Sequence, residues 1–225
     1  MPKKILITGA SSGIGKSCAI LAAQHGLEVI ATARNKNKLQ QLQAQHKNIR
    51  IIVADIASEK GQNDIAQNIK KPLNFLLHNA ALLQKPQSFS ELKRQDFIKH
   101  IATNVEPIIF LTQKLIDKMP PSQAHIICVS TAAAQNAIAG LGHYCISKAA
   151  ALMATELLKN ELLIHQIKVE NFFPGVVDTT MQKTLRDADD TVFPYAQNFR
   201  DLKYNNELAS PQDVAKKIIG LFLNA

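Results

Sequence analysis

The sequence has no uninterrupted apolar run of the roughly 18 residues that a membrane-spanning helix needs, which predicts a protein outside the bilayer. Its first strand signal begins almost at the N-terminus and leaves no room for a signal peptide, so a cytoplasmic location is expected. Cysteine is scarce: Cys18, Cys128 and Cys145 lie far apart and form no metal spacing. Such thiols fit a reducing compartment better than a disulfide framework. The seven histidines are equally scattered, and no metal site is expected. Aromatic residues make up only 5% of the chain, and no basic run is interleaved with them. That weighs against nucleic-acid binding despite a net charge of +8 and a pI of about 9.4. The basic residues come singly or in pairs (Lys3-Lys4, Lys70-Lys71, Lys93-Arg94, Lys216-Lys217), as on a solvated surface that attracts phosphorylated small molecules. Repeats, low-complexity tracts and linkers are also missing.

What is present is apolar patterning. With 46% hydrophobic residues among 225, the chain can bury one sizeable core, and one domain over residues 1–225 is expected. Strand and helix signals alternate with short connections. Strands are predicted at Ile5-Leu6-Ile7, Leu27 to Ala33, Ile49 to Val53, Leu73 to Leu77, Ala124 to Val129 and Val169 to Phe173. Helices are predicted at Ile14 to His25, Lys36 to Gln45, Glu59 to Ile69, Glu91 to Ala102, Glu106 to Lys118, Tyr144 to His165 and Pro211 to Leu223. Leu82 to Ser88 reads as a loop, and Thr179 to Asn206 as mixed helix and loop. Alternation of this kind predicts an α/β Rossmann fold: a doubly wound parallel sheet of about six strands with helices on both faces.

Such a sheet binds its ligand outside the carboxyl ends of the strands, where strand order reverses. The residues there carry the chemistry. After strand one comes Thr8-Gly9-Ala10-Ser11-Ser12-Gly13-Ile14-Gly15, a glycine-rich turn leading into a helix. Glycine lets the backbone approach a ligand, and the first helical amides favour an anion. Strand two ends in Thr32-Ala33-Arg34-Asn35. A site for NAD usually carries an acid here; Arg34 instead suits a 2′-phosphate, by charge and by its forked donors. The plainer reading is a solvated arginine. Strand three ends in Asp55-Ile56, strand four in His78-Asn79-Ala80-Ala81 and strand five in Ser130-Thr131. Tyr144 and Lys148, four apart on a helix, share one face, and a nearby ammonium is expected to lower the phenol's pKa towards neutrality.

Together these residues resemble the short-chain dehydrogenase/reductase family over nearly the whole chain. The glycine motif matches from Thr8 to Gly15, Tyr-x-x-x-Lys matches Tyr144 and Lys148, and the helix asparagine matches Asn104. The turn after strand six matches Pro174-Gly175, with Val177 and Thr179 following. The resemblance is closest in wording to the sepiapterin reductase and benzil reductase group, through Thr32 to Asn35, Tyr144-Cys145, Asp178 to Gln182 and Leu202-Lys203. It implies NADPH as cofactor, held by Gly9, Ser11, Ser12, Gly13, Ile14, Gly15, Arg34, Asp55, Ile56, Asn79, Ala80, Tyr144, Lys148, Pro174, Gly175, Val177 and Thr179. The implied reaction is hydride transfer to the carbonyl of a ketone or diketone. Tyr144 would donate the proton, and Lys148 would hold the nicotinamide ribose and lower the tyrosine pKa. Thr131 would orient the carbonyl, and Asn104 would hold a water leading from Lys148 to solvent.

In the relatives, the helices here placed at 106–118 and 144–165 form a dimer interface, with Ala149, Ala150, Ala151 and Ala154 permitting close packing, so a homodimer or a monomer is expected rather than a tetramer. The departures are Ala81 where the family has glycine, Thr131 where it has serine (Ser130 being adjacent), and no seventh strand signal. Asn104 reads alternatively as a helix cap. Other readings are a 3-oxoacyl-thioester reductase and a non-catalytic cofactor sensor. The substrate region is placed at 179–206, with Ala132, Ala133, Ile138, Leu141, Val176, Phe193 and Tyr195 as apolar pocket candidates. Asp187, Asp189 or Asp190 would serve a polar substrate.

Overall fold

The computed structural model describes residues 2–70 and 72–224, so Lys71 of the Lys70-Lys71 pair lies outside the described residues. Six parallel strands form one sheet in the order β3-β2-β1-β4-β5-β6. They are β1 (Lys4–Thr8), β2 (Glu28–Ala33), β3 (Ile49–Val53), β4 (Phe75–His78), β5 (Ala124–Val129) and β6 (Ile167–Phe172). The order reverses between β1 and β4, the predicted place for a ligand.

Successive strand residues point to opposite faces, and the register turns this into two cores. Ile30, Leu6, Leu76, Ile126 and Val169 line up across neighbouring strands and join one buried cluster. On that face lie α3 (Glu59–Asn68), α4 (Arg94–Asn104), α5 (Thr112–Leu115) and α6 (Gly142–Glu161). Ile5, Ile7, Val29, Ala31, Phe75, Leu77 and Ile127 face the other way. There they meet α1 (Gly13–Gln24), α2 (Lys36–Gln43) and α9 (Pro211–Leu223). Two more helices, α7 (Thr180–Arg186) and α8 (Ala196–Tyr204), stand over the carboxyl end of the sheet. Phe222 of α9 is fully buried against Phe75, with ring centroids 5.0 Å apart. Burying such a side chain contributes about 1.5–3 kcal/mol. Ser210 caps α9 by accepting from the Asp213 amide, and Pro211 sits where a missing N–H costs nothing.

The differences from the sequence expectation have local causes. The predicted helix at 106–118 is broken into a wide π turn (Pro107–Leu111), α5 and a 3-10 turn (Ile116–Lys118). Pro107 has no N–H and its ring crowds the carbonyl four residues back, so a regular α-helix cannot run through it. The fourth strand starts at Phe75 rather than Leu73, because the Leu73 amide bonds Lys118 O and Asn74 Oδ1 accepts from the Lys4 amide. Helix α6 begins two residues early and stops at Glu161, before a turn in which Gln166 has φ +53°. The mixed segment contains two helices with a small core of their own, which includes Leu185, Phe193 and Ala196. Its base is pinned by the Val177–Ala209 bridge and by the Asp178 carboxylate, which accepts from Arg186 Nη1 at 3.3 Å and Lys203 Nζ at 2.6 Å.

Candidate functional site

At the point of strand reversal lies a cleft of about 570 Å³. One end is built on the glycine turn. Thr8, 1% exposed, accepts from the Asn79 and Ala80 amides at 3.0 and 3.1 Å, tying the end of β1 to that of β4. The Asn79 side chain answers by donating to Thr8 O and Gly9 O at 2.9 and 3.3 Å. Gly9 has φ +68°, and a Cβ there would come within 2.7 Å of Ala80 Cα. Gly15 does not line the cleft; a Cβ on it would meet Gly9 O at 2.5 Å, so it permits the helix to pack on the turn. Helix α1 has no acid in its first turn, and the Ser12 side chain makes no cap bond, leaving the positive helix end open to the cleft.

Ser11, Ser12, Gly13 and Ile14 line this end, and Arg34, Asp55 and Ile56 extend it along β2 and β3. Asn35, beside Arg34, caps α2 by accepting from the Lys38 amide at 3.0 Å. Asn79 and Ala80 form the floor, and Pro174, Gly175, Val177 and Thr179 the opposite wall. This cradle fits a dinucleotide: close-approach glycines, an open helix end for a pyrophosphate and a cationic fork where a 2′-phosphate is expected.

The other end holds the hydroxyl, phenol and amine singled out in the sequence. Thr131, just past the end of β5, and Tyr144 and Lys148 of α6 line the cleft together. Burial pushes the Tyr144 phenol up to about 12, opposed by the Thr131 hydroxyl. Lys148 Nζ donates to Val129 O at 2.8 Å, and burial pulls its pKa down to about 8. The expectation that Lys148 lowers the tyrosine pKa is therefore not met in the protein alone: burial raises it, and the group that opposes burial is the Thr131 hydroxyl rather than the Lys148 ammonium. Ser130 Oγ is buried beside Thr131 with no partner.

Asn104 stands behind the site rather than in it. It is the last residue of α4, which removes the start-of-helix cap reading. Its amide donates to Leu82 O at 3.0 Å and Ser147 Oγ at 2.9 Å, and its Oδ1 accepts from the Leu82 amide at 2.6 Å. With both donors engaged, only a lone pair on Oδ1 is left for the expected water. Ser147 passes the contact on by donating to Tyr144 O at 2.9 Å.

Three groups of pocket expectations are corrected. Phe193 is fully buried in the core under α7 and α8, and Tyr195 points outward, 43% exposed. Leu83, Met181, Leu185 and Phe199 line the cleft in addition to Ala132, Ala133, Ile138, Leu141 and Val176. Asp187, Asp189 and Asp190 are outside it, engaged with Lys183, Thr191 and Arg200 respectively. Met181 and Gln182, inside the predicted 179–206 substrate region, were not singled out as site residues, although both lie in the first turn of α7 after the Thr179 cap and line the cleft. The Tyr144 hydroxyl is 3.9 Å from Met181 Sδ.

The short chain dehydrogenase family matches residues 3–190. A benzil reductase ((S)-benzoin forming) of Bacillus cereus is 27% identical over 231 residues, covering 96% of this chain and 92% of its own. An L-xylulose reductase of Caenorhabditis elegans is 32% identical over 187 residues, covering 80% and 73%. Among solved structures, the KRED1-Pglu enzyme superposes with a TM-score of 0.90 at 25% identity, covering 98% of this chain and 95% of that one. No described helix is long and apolar enough to cross a membrane.

Proposed function

This chain belongs to the short-chain dehydrogenase family and is an oxidoreductase of that family, and from this premise we propose that it is an NADPH-dependent reductase of apolar ketones and vicinal diketones. The observation that carries the reading is the meeting of Thr131, Tyr144 and Lys148 in one cleft with the glycine turn and Arg34.

In this reading NADPH, when bound, supplies hydride to the carbonyl carbon. The glycine turn and the open end of α1 hold the pyrophosphate. Arg34 pairs with the 2′-phosphate, while Asp55 and Ile56 flank the adenosine. Asn79, Ala80, Pro174, Gly175, Val177 and Thr179 enclose the nicotinamide end. Thr131 donates to the carbonyl oxygen and orients it. Tyr144 gives that oxygen its proton; its raised pKa keeps the phenol protonated at neutral pH, and the alkoxide formed is a far stronger base. Lys148 holds the ribose and returns a proton to the tyrosine. Asn104 is a positioning residue that braces Leu82 against α6 through Ser147.

The benzil and L-xylulose reductases named above favour carbonyl reduction, and the apolar wall of Leu83, Ile138, Leu141, Met181, Leu185 and Phe199 favours a substrate with apolar substituents. A polar pterin is disfavoured because the nearby acids Asp187, Asp189 and Asp190 lie outside the cleft. The test is NADPH oxidation with an aromatic 1,2-diketone, sepiapterin and a 3-oxoacyl thioester in parallel. The diketone should give the highest kcat/KM. No oxidation with any ketone, or a clear advantage for sepiapterin or the thioester, would overturn the reading.

A further inference from the structure

Met181 lines the cleft from the first turn of α7, and its sulfur lies 3.9 Å from the Tyr144 hydroxyl. The phenol donates, and a thioether is only a weak acceptor. The helix that carries the sulfur is fixed at its start and at its far end. Thr179 Oγ1 accepts from the Gln182 amide at 3.3 Å, and the Asp178 carboxylate ties α7 to α8 through Arg186 and Lys203. The side chain itself packs, half-buried, on the small core that includes Tyr144. The other methionines stand elsewhere. Met1 lies outside the described residues, Met119 is 5% exposed, and Met153 is 69% exposed on α6. Among the described residues, Met181 is therefore the methionine open to the cleft, whose volume of about 570 Å³ admits a molecule as small as a hydroperoxide.

We propose that Met181 is an oxidation site for hydroperoxides and that its sulfoxide shuts the reductase by capping the Tyr144 hydroxyl. The inference rests on the carbonyl-reductase reading and adds a control to the same site. The step is balanced. A sulfur lone pair attacks the outer peroxide oxygen, the O–O bond breaks and an S–O bond forms. Sulfur is oxidised, the hydroperoxide is reduced, and its proton moves to the leaving oxygen, which departs as an alcohol, or as water from hydrogen peroxide. The oxygen gained on the side of the phenol shortens a gap too long for a strong hydrogen bond and turns a weak acceptor into a strong one. The sulfoxide then holds the phenol proton, and its oxygen stands where the substrate carbonyl has to sit between Thr131 and Tyr144. The cofactor end of the cleft, from the glycine turn to Arg34, is left as it was. Thiols do not reverse the change; methionine sulfoxide reductases do.

The experiment treats wild type, Met181→Leu and Met153→Leu with hydrogen peroxide and then removes the peroxide. Peptide masses report oxidation at each methionine, and diketone reduction is read as the fraction of each protein's own untreated rate. Wild type and Met153→Leu should lose activity in step with Met181 sulfoxide, on the order of tenfold or more at full conversion, with NADPH affinity unchanged by calorimetry. Met181→Leu should keep its own rate. An equal loss in Met181→Leu would place the damage elsewhere and overturn the proposal. So would recovery with dithiothreitol alone, which would assign the loss to the half-buried Cys145 thiol. A Met181 that stays unoxidised while Met153 is converted would overturn it as well. A second readout needs no turnover. In urea unfolding of the Met153→Leu protein, oxidation should destabilise the Tyr144→Phe form more than its parent, because only the parent offers the sulfoxide a donor. Equal destabilisation would remove the capping contact and the proposal with it. If the untreated protein reduces no ketone, the carbonyl-reductase reading falls, and the peptide masses together with this coupling decide whether the sulfoxide forms and caps Tyr144.

Discussion

Thr8 and Asn79 hold each other across the gap between β1 and β4: the threonine hydroxyl accepts the asparagine's backbone amide, and the asparagine's side chain donates to the threonine's carbonyl. The two strands part at the point where the cleft opens, so this pair sets the shape of the glycine turn. Replacing Asn79 by Leu leaves Thr8 O and Gly9 O without their side-chain donor. The expected loss is about 1–3 kcal/mol of stability in denaturant unfolding, together with weaker NADPH binding by calorimetry. Unchanged cofactor affinity would separate the turn's shape from binding.

Arg34 stands just past the end of β2, and among the described residues the one acid lining the cleft is Asp55, just past β3. Arg34→Asp should weaken NADPH binding by about 1.5–3 kcal/mol, the range for hydrogen bonds to charged groups, with NADH binding much less affected. Comparable wild-type dissociation constants for the two cofactors would contradict the 2′-phosphate assignment.

Thr131 lies beside the Tyr144 phenol, whereas Ser130 Oγ has no partner. Thr131→Val preserves volume and should lower kcat on the order of 100-fold, as removal of a donor to a developing oxyanion does. Ser130→Ala should have a far smaller effect. The opposite ranking would move the carbonyl-binding hydroxyl one residue back.

Lys148 gives a stability signature that does not depend on activity. Its pKa falls from about 10.5 when unfolded to about 8 when folded. Below pH 8 the buried ammonium is present in full and its desolvation cost opposes folding. Between pH 8 and 10.5 the folded state releases the proton that the unfolded state keeps, so stability rises with pH. The contribution is on the order of 3 kcal/mol across that window. Urea unfolding at several pH values should show this slope in the wild type and lose it in Lys148→Met.

The homodimer expectation takes a definite face. Ile146, Ala149, Met153 and Leu157 are exposed along α6, with Phe110 of the π turn also exposed, whereas Ala151 and Ala154 are buried against the sheet. Three of the four alanines singled out in the sequence, Ala150 included, therefore pack against the core. If α6 pairs two copies, Met153→Asp should give a monomer in light scattering with unchanged circular dichroism. A wild-type monomer would refute the pairing.

Much of this protein was legible before folding because its signals are local. The buried strands read as apolar runs, Pro211 after Ser210 announced the last helix, and the order of strand and helix signals led to the parallel sheet that is observed. Thr8 to Gly15 marked the turn, since close approach of backbone needs glycine wherever it occurs. Spacing placed Tyr144 and Lys148 on one helix face. Tertiary structure decided the rest. Whether Phe193 or Phe199 reaches the cleft depends on how α7 and α8 pack over the sheet, and both residues look alike in an apolar pattern. The Tyr144 pKa depends on how much water the folded site excludes, which spacing along the chain does not report. Asn104 bonds Leu82 and Ser147, partners that only the packing of α4 on α6 brings within hydrogen-bond distance. The Met181 sulfur meets the Tyr144 hydroxyl only where α7 is brought against α6, a contact between elements that no periodicity encodes.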